Sequence, residues 1–296
     1  MKLIQQSAEI WQQPEGEVGI YKQVEKAARL CYKSENKATE DSYKRFIDML
    51  NDRGHNSPLE HGTVYLLFGE NPYSKEDSEF ILKYKNNPYS KVIGIGTDDT
   101  PIGSTFLGDK LGEGVYGCFL WAITTNYRVI KEHGWEDDLK YLCEPTEYHA
   151  KRISVHITTS RSISHELVRH RVFSFCQESQ RYCNYSKDKF SNELTFIIPT
   201  WVNTHCPNKE NEGPSIADME WSTAMLNAEA SYFNLLREGW KPQEAREVLP
   251  NATKTELIMT GFESQWEQFF KLRCSPAAHP MMQELANQIK SLIHNE

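Results

Sequence analysis

The chain has 296 residues, a formal net charge of −8 and 39% hydrophobic residues, which excludes collagen, low complexity and disorder as its main character. A chain this long buries about 75% of its unfolded-state surface and needs no disulfide or metal to fold. No apolar run approaches the ~18 residues of a membrane span, and MKLIQQSAEIWQQPEG lacks the apolar stretch of a secretory signal, so a cytoplasmic protein without a membrane partner is expected.

No repeat and no linker divides the chain, so residues 1–296 are expected to form one domain. Val18, Tyr21, Val24, Ala28 and Cys31 fall at helical spacing and predict a helix over 18–32. A second helix is expected over 40–52, with Thr39 as its cap and Gly54 after its end. TVYLLF at 63–68 reads as a strand. Residues 69–150 are rich in Gly, Pro, Asn and Tyr; strands are expected at 91–95 and 117–124, and acidic helical pieces at 75–85 and 135–142. RISVHITT alternates like a half-buried strand, a helix is expected over 161–170, and 194–198 is a short strand stopped by Pro199. Ser215 with Asp218 resembles a capping box opening a helix to about Glu238. Pro242 suits a short helix that Pro250 ends, a further helix is expected over 255–272, and Pro280 opens the last. The fold class is α+β, with helices dominating the second half.

Several patterns are weak. Residues 112–117 match GxGxxG, but a polar turn precedes them and a strand-like CFLWAITT follows, the reverse of a dinucleotide-binding context. His165 and His170 are five apart rather than four, so they diverge by about 140° on a helix and do not make a zinc site; no metal is expected. Seven cysteines (31, 118, 143, 176, 183, 206 and 274) have irregular spacing and no CxxC pair, which points to reduced thiols. The acidic net charge disfavours nucleic acid as a partner.

The strongest signal is Arg169-His170-Arg171, then VFSFCQE, then Ser179-Gln180-Arg181-Tyr182. It lies in a local basic excess, since residues 151–182 carry six Lys or Arg against Glu166 and Glu178. Two readings are open on residue chemistry alone. The charges complement the end of the preceding helix and are solvated, or the arginines fork around a phosphate or a polarised carbonyl.

RHR followed by seven residues and a serine, here RHRVFSFCQESQRY, resembles the signature of the flavin-dependent thymidylate synthases. Gly54-His55-Asn56-Ser57-Pro58-Leu59-Glu60-His61 resembles that family's GHxSPxEH element, Ala27-Ala28-Arg29-Leu30-Cys31 its early helix, Ala245-Arg246-Glu247-Val248-Leu249-Pro250 its AR-xx-LP segment and Leu272-Arg273 its late LR. The resemblance implies an α+β fold with a mixed or antiparallel sheet and surrounding helices. It implies conversion of dUMP to dTMP, with methylenetetrahydrofolate as carbon donor, FAD as redox cofactor and NADPH as reductant, in a homotetramer whose active sites lie at subunit junctions. Carried over by position, dUMP is expected against Glu166, Arg169, Gln177, Glu178, Ser179, Gln180, Arg181, Arg246 and Arg273. Arg273 is then the catalytic residue that polarises the uracil. FAD is expected against His55, Ser57, Arg169, His170, Arg171, Gln177 and Gln268.

The chain departs from the family pattern at named places. Gln177 stands where the family commonly has glutamate, and Glu166 where it has glutamine. A carboxylate near a phosphate is unfavourable unless paired, which leaves Glu166 to turn toward a basic residue. Phe262 and Gln268 replace flavin-side asparagines, and Cys31 a small hydroxyl residue. Residues 69–150 read as an insertion, most simply a surface elaboration, with a subunit contact, a lid or a folate-side wall as alternatives. The alternative functions are a flavin- and folate-dependent dUMP hydroxymethylase on the same scaffold and a non-catalytic nucleotide or nucleic-acid binding protein.

Overall fold

A computed structural model describes residues 1–71, 73–95, 119–187, 192–204 and 213–295. The GxGxxG turn at 112–117 lies outside the described residues, as do Cys118 and Cys206. The strands are β1 (Lys2–Ile4), β2 (Ser7–Ile10), β3 (Thr63–Glu70), β4 (Lys91–Ile95), β5 (Phe119–Asn126), β6 (Arg152–Ser160), β7 (Ser174–Gln177), β8 (Thr195–Ile197) and β9 (Lys254–Phe262). The α-helices are α1 (Gly16–Tyr32), α2 (Ser42–Asp52), α3 (Lys75–Lys85), α4 (Tyr127–His133), α5 (Arg161–Leu167), α6 (Ile216–Arg237), α7 (Pro242–Ala245), α8 (Glu263–Arg273) and α9 (Pro280–His294).

The protein is an α+β structure built on two antiparallel sheets. A four-stranded sheet has the order β2-β6-β9-β7, and a three-stranded sheet the order β3-β5-β4. A small parallel pair joins β1 to β8. The long β6–β9 ladder runs from Arg152 opposite Phe262 to Ser160 opposite Lys254. α5, α8 and α9 pack on this sheet through Val155, Ile157, Leu167, Leu257, Met259, Trp266, Phe269 and Leu285, which form its main core.

The helix expected over 255–272 is corrected by the structure. Lys254–Phe262 is a strand, and the helix begins only at Glu263. Its sequence, KTELIMTGF, is buried on both faces because β9 lies between β6 and β7 with helices above. A strand buried on both sides loses the alternation that marks a half-buried one, so its apolar run also fits a helix. At Gly261 a Cβ would lie 2.3 Å from the Phe173 ring, a close approach that only glycine permits there.

Other boundaries move for local reasons. α2 starts at Ser42 with Asp41, not Thr39, at its N-cap position; Thr39 instead exchanges hydrogen bonds with Ser42. α5 ends at Leu167, three residues before the expected His170, because the chain turns sharply into β7. The capping box of Ser215 and Asp218 opens α6 as the pattern implies. The piece at Glu136–Tyr141 is a 3-10 helix.

Residues 69–150 contribute to a second core. Ile81 and Tyr84 of α3, Ile123 of β5 and Tyr127 and Ile130 of α4 pack with Ile20 and Val24 of α1, Ile47 of α2 and Leu66 of β3. The segment therefore supplies two of the three strands of a sheet. The surface-elaboration reading is replaced by a load-sharing one, since removing the segment would expose β3 and the apolar faces of α1 and α2. Among the described residues no helix is long and apolar enough to cross a membrane.

Candidate active site

The RHR sequence occupies the turn between α5 and β7. Ser160 caps α5 by accepting from the Ile163 N–H, and successive bonds from Arg169 N to Glu166 O, His170 N to Leu167 O and Phe173 N to His170 O close the turn. Antiparallel pairing of β7 with β9 then fixes the direction in which the QESQR loop leaves the sheet. Arg169, Arg171 and Arg181 are exposed, and among the described residues none of the three is in an ion pair. Arg181 lies over the Tyr182 ring at 5.5 Å. Three uncompensated guanidiniums on one turn and loop form an anion-receptive surface.

Glu166, His170 and Arg273 come together as one cluster. Arg273, the last residue of α8, donates from Nε to His170 Nε2 at 2.9 Å and from Nη1 to Glu166 Oε2 at 2.9 Å. The His170 ring packs edge-on against Phe269 at 5.0 Å. Burial first, and then the Arg273 charge, push the His170 imidazole down to about 4. It is therefore a neutral acceptor at neutral pH, and all three Arg273 nitrogens are held, Nη2 reaching Glu166 O at 3.5 Å. The Glu166 carboxylate faces this guanidinium.

Gln177 and Glu178 face inward from the loop that follows. Gln177 Nε2 donates to Ser164 Oγ at 2.9 Å and Thr255 Oγ1 at 3.1 Å, tying the end of β7 to α5 and β9. The Glu178 side chain is wholly inaccessible; it accepts from the Tyr185 hydroxyl at 3.0 Å and pairs with Lys254 at 2.9 Å. Lys254 also pairs with Glu256, which pairs in turn with Lys33 at 2.5 Å. Burial would lower the Lys254 ammonium, but the Glu178 and Glu256 charges raise it above its ordinary range. A cleft of about 560 Å³ runs past Lys33, Tyr185, Thr253, Lys254 and Glu256. It lies behind the motif loop rather than on the RHR turn, and its Lys33, Lys254 and Glu256 charges are already in ion pairs.

Ser179, Gln180 and His55 meet the end of α1. Ser179 N donates to Cys31 O at 3.0 Å, while the Tyr32 hydroxyl lies 3.5 Å from His55 Nδ1 and its ring 5.5 Å from that of Tyr182. Tyr32 thus bridges the GHNSPLEH element to the SQRY loop. That element is a 3-10 turn over Ser57–His61, held from the far side by α4: Asn56 donates to Glu132 at 3.2 Å and Glu60 pairs with Arg128 at 2.6 Å. His55 and Ser57 are exposed. Buried His61 shares a 2.8 Å hydrogen bond with Thr260.

Arg246 and Gln268 stand apart from the Arg273 cluster. Gln268 is exposed on α8, and Arg246 makes a 3.5 Å pair with its neighbour Glu247 in the turn after α7. That turn docks on the start of α5 through Arg161 N to Thr253 O at 3.0 Å and Ser162 N to Asn251 O at 3.3 Å. Arg161 is a residue that sequence reasoning missed. Burial, and then the nearby Arg246 charge, pull its guanidinium below its ordinary value. The signal available was an arginine just inside the cap of a helix leading to RHR. Lys254 was missed too, because an isolated lysine in an apolar run carries no pattern.

Two buried polar atoms bear on what the site accepts. Gln180 Nε2 in the motif loop and Asn56 Oδ1 in the GHNSPLEH element have no hydrogen-bond partner. A buried donor and a buried acceptor left unmade each cost about 1–3 kcal/mol, which a ligand with complementary groups would recover.

Acid sensitivity follows from the buried histidines. His170 is pushed down to about 4, and burial pushes His61 to about 3. On unfolding each returns to its ordinary range near 6.5 and binds a proton, so stability is full above that pH and falls as pH drops through it toward the native values. The slope is up to about 1.4 kcal/mol per pH unit per proton. Glu256, held low by His156, Lys254 and Lys33 against the opposing effect of burial, adds its loss only below its ordinary 4.5. We expect the urea midpoint to fall between pH 6.5 and 5, and His170→Gln to flatten part of that slope. Equal midpoints across this range would show that the buried imidazoles accept protons in the native state.

The chain matches a sequence model of the thymidylate synthase complementing protein family over residues 146–296. It is 32% identical over 134 residues to a flavin-dependent thymidylate synthase of Geobacter sulfurreducens, covering 45% of this chain and 52% of that protein. To the flavin-dependent thymidylate synthase of Mycobacterium tuberculosis H37Rv it is 33% identical over 141 residues, covering 45% and 54%. The chain thus spans about half the length of the curated relatives it matches. Among solved structures, the UMP/dUMP methylase PolB of Streptomyces cacaoi bound with 5-Br UMP aligns at 16% identity and a TM-score of 0.43, covering 100% of this chain and 92% of that one.

Proposed function

The chain belongs to the thymidylate synthase complementing protein family, the flavin-dependent thymidylate synthases, and from that premise we propose that it catalyses the reductive methylation of dUMP to dTMP. Methylenetetrahydrofolate is the carbon donor, FAD the redox cofactor and NADPH the reductant in this reading. The observation that carries it is the Arg273 guanidinium, anchored by Glu166 and His170 beside a turn and a loop that carry three unpaired arginines.

In this assignment Arg169, Arg181 and Arg246 receive the nucleotide phosphate together with Ser179 and Gln180. Gln177 and Glu178 act from within, holding the loop to β9. Arg273 places its fork against the uracil and stabilises charge that develops on the ring, the kind of interaction that strengthens in the transition state. His170, neutral and bonded to Arg273 Nε, keeps that fork from rotating. His55, Ser57, His170, Arg171 and Gln268 border the flavin. When bound, FAD supplies the electron transfer that the side chains cannot perform. Exposed RHR arginines on one chain support a site completed by other subunits of a homotetramer.

The test is the flavin absorption spectrum of purified protein before and after excess dUMP. A spectrum that shifts with dUMP supports one shared pocket, and product mass then separates methyl from hydroxymethyl. Protein that takes up no FAD would return the binding-protein reading to the front. Arg181→Ala is expected to weaken dUMP about 10- to 100-fold by loss of a charge-assisted contact. An unchanged titration would move the phosphate site elsewhere.

A further inference from the structure

Two thiols meet where the end of α1 packs against β7. Cys31 is the next-to-last residue of α1 and partly buried, and Cys176 lies within β7 and is buried. Both are reduced. Cys176 belongs to a small apolar cluster with Ala27 and Leu30 of α1 and with its cross-strand partner Ile258, and Cys31 packs against that cluster. The backbone fixes the approach of the two elements, since Ser179 N donates to Cys31 O at 3.0 Å just beyond β7.

The two sulfurs are chemically unequal. A hydrogen bond from the Cys176 thiol, helped by the Gln177 N–H, outweighs burial and pulls the Cys31 thiol below its ordinary range. The nearby Glu35 charge opposes this shift without reversing it, and the neutral thiol has only a weak 3.9 Å contact with the Ala27 carbonyl to give up. The same thiol pair, and then burial, push Cys176 well above its ordinary range. Cys31 also keeps an opening to solvent, whereas Cys176 is 4% exposed. A reachable, thiolate-prone cysteine beside a buried, protonated one has the properties of an attacking sulfur and its resolving partner. The nucleotide chemistry proposed above uses neither.

We propose that Cys31 and Cys176 form a peroxide-sensitive modification site, in which a hydroperoxide oxidises Cys31 and Cys176 then closes a reversible disulfide beside the motif loop. The Cys31 thiolate attacks one oxygen of hydrogen peroxide. The O–O bond breaks, the sulfur becomes S–OH, and the departing hydroxide takes up a proton as water. The Cys176 sulfur next attacks the Cys31 sulfur; the S–O bond breaks, and hydroxide leaves with the Cys176 proton as a second water. Two electrons thus pass from the thiol pair to the peroxide, and a dithiol reductant returns them. Closure brings the sulfurs to about 2.05 Å and the Cβ atoms to about 3.8 Å. It fastens α1 to β7 between Tyr32, which contacts His55, and Gln177, which opens the QESQR loop.

The experiment exposes reduced full-length protein to a stoichiometric amount of hydrogen peroxide, blocks the remaining thiols and maps the peptides by mass. The expected product joins the Cys31 peptide to the Cys176 peptide with loss of two hydrogens, and dithiothreitol restores both thiols. Cys31→Ser should consume peroxide at least about tenfold more slowly, because the thiolate is the nucleophile. Cys176→Ala keeps an apolar group in the cluster and should leave Cys31 as a sulfenic acid that dimedone captures. The site is overturned if Cys31 and Cys176 stay reduced while other cysteines oxidise, if either pairs with a different cysteine, or if the crosslink forms only in urea. Peptide mass reads this outcome without flavin or dUMP, so it is decided separately from the proposed activity.

Discussion

Replacing Arg273 by alanine is expected to lower kcat by about 10²- to 10³-fold while FAD affinity stays within about threefold of wild type. The side chain is 21% exposed and its Glu166 partner 28% exposed, so the pair contributes little to folding once solvent screening is counted. What the variant removes is a fork pinned at Nε and Nη1 by two different residues. Pinning matters because a guanidinium that need not reorganise stabilises developing charge at no further cost. Lys at this position keeps the charge but cannot bond His170 and Glu166 in the same planar geometry, and should recover only a fraction of the rate. The measurements are single-turnover dTMP formation at saturating dUMP and FAD binding followed by fluorescence. Parallel loss of turnover and FAD affinity would assign Arg273 a structural role instead.

Lys254→Met carries the largest expected effect on stability, about 3–5 kcal/mol, because it leaves the inaccessible Glu178 carboxylate without its counter-ion. For a chain of this size that lowers the melting temperature by on the order of 10 °C. The remaining Tyr185 hydroxyl can satisfy one oxygen but not the charge. Glu256 is better protected, since Lys33 and His156 both remain. Adding Glu178→Gln to Lys254→Met should restore a large part of the loss, as an amide needs no counter-ion. Because Glu178 is followed directly by Ser179, Gln180 and Arg181, dUMP affinity should follow stability in the single variant. Denaturant unfolding of the two variants checks the first expectation, and an unshifted Lys254→Met midpoint would show that the pair adds nothing net.

The sequence by itself determined a good deal of this protein. Periodicity and capping residues placed α1, α3, β4, β6, α6 and α9 to within a few residues, because in those segments a single face is buried or a Ser or Pro fixes the end. The RHR spacing, the AR-xx-LP segment and the late LR lie within residues 146–296, the stretch that matches the family model. Tertiary structure decided the rest. Lys254–Phe262 is a strand only because β6 and β7 lie on either side of it, and no local periodicity marks a segment buried on both faces. The expected nucleotide-lining Glu178 turns inward because Lys254, 76 residues away, offers it a cation. Glu166 meets Arg273 across 107 residues, a pairing set by the packing of α8 against the RHR turn. The part played by residues 69–150 was invisible for the same reason. Its strand β5 finds a partner in β3, and Lys91 reaches Ser264 of α8, only after the chain has folded, because those contacts are written in distance through space and not along the sequence.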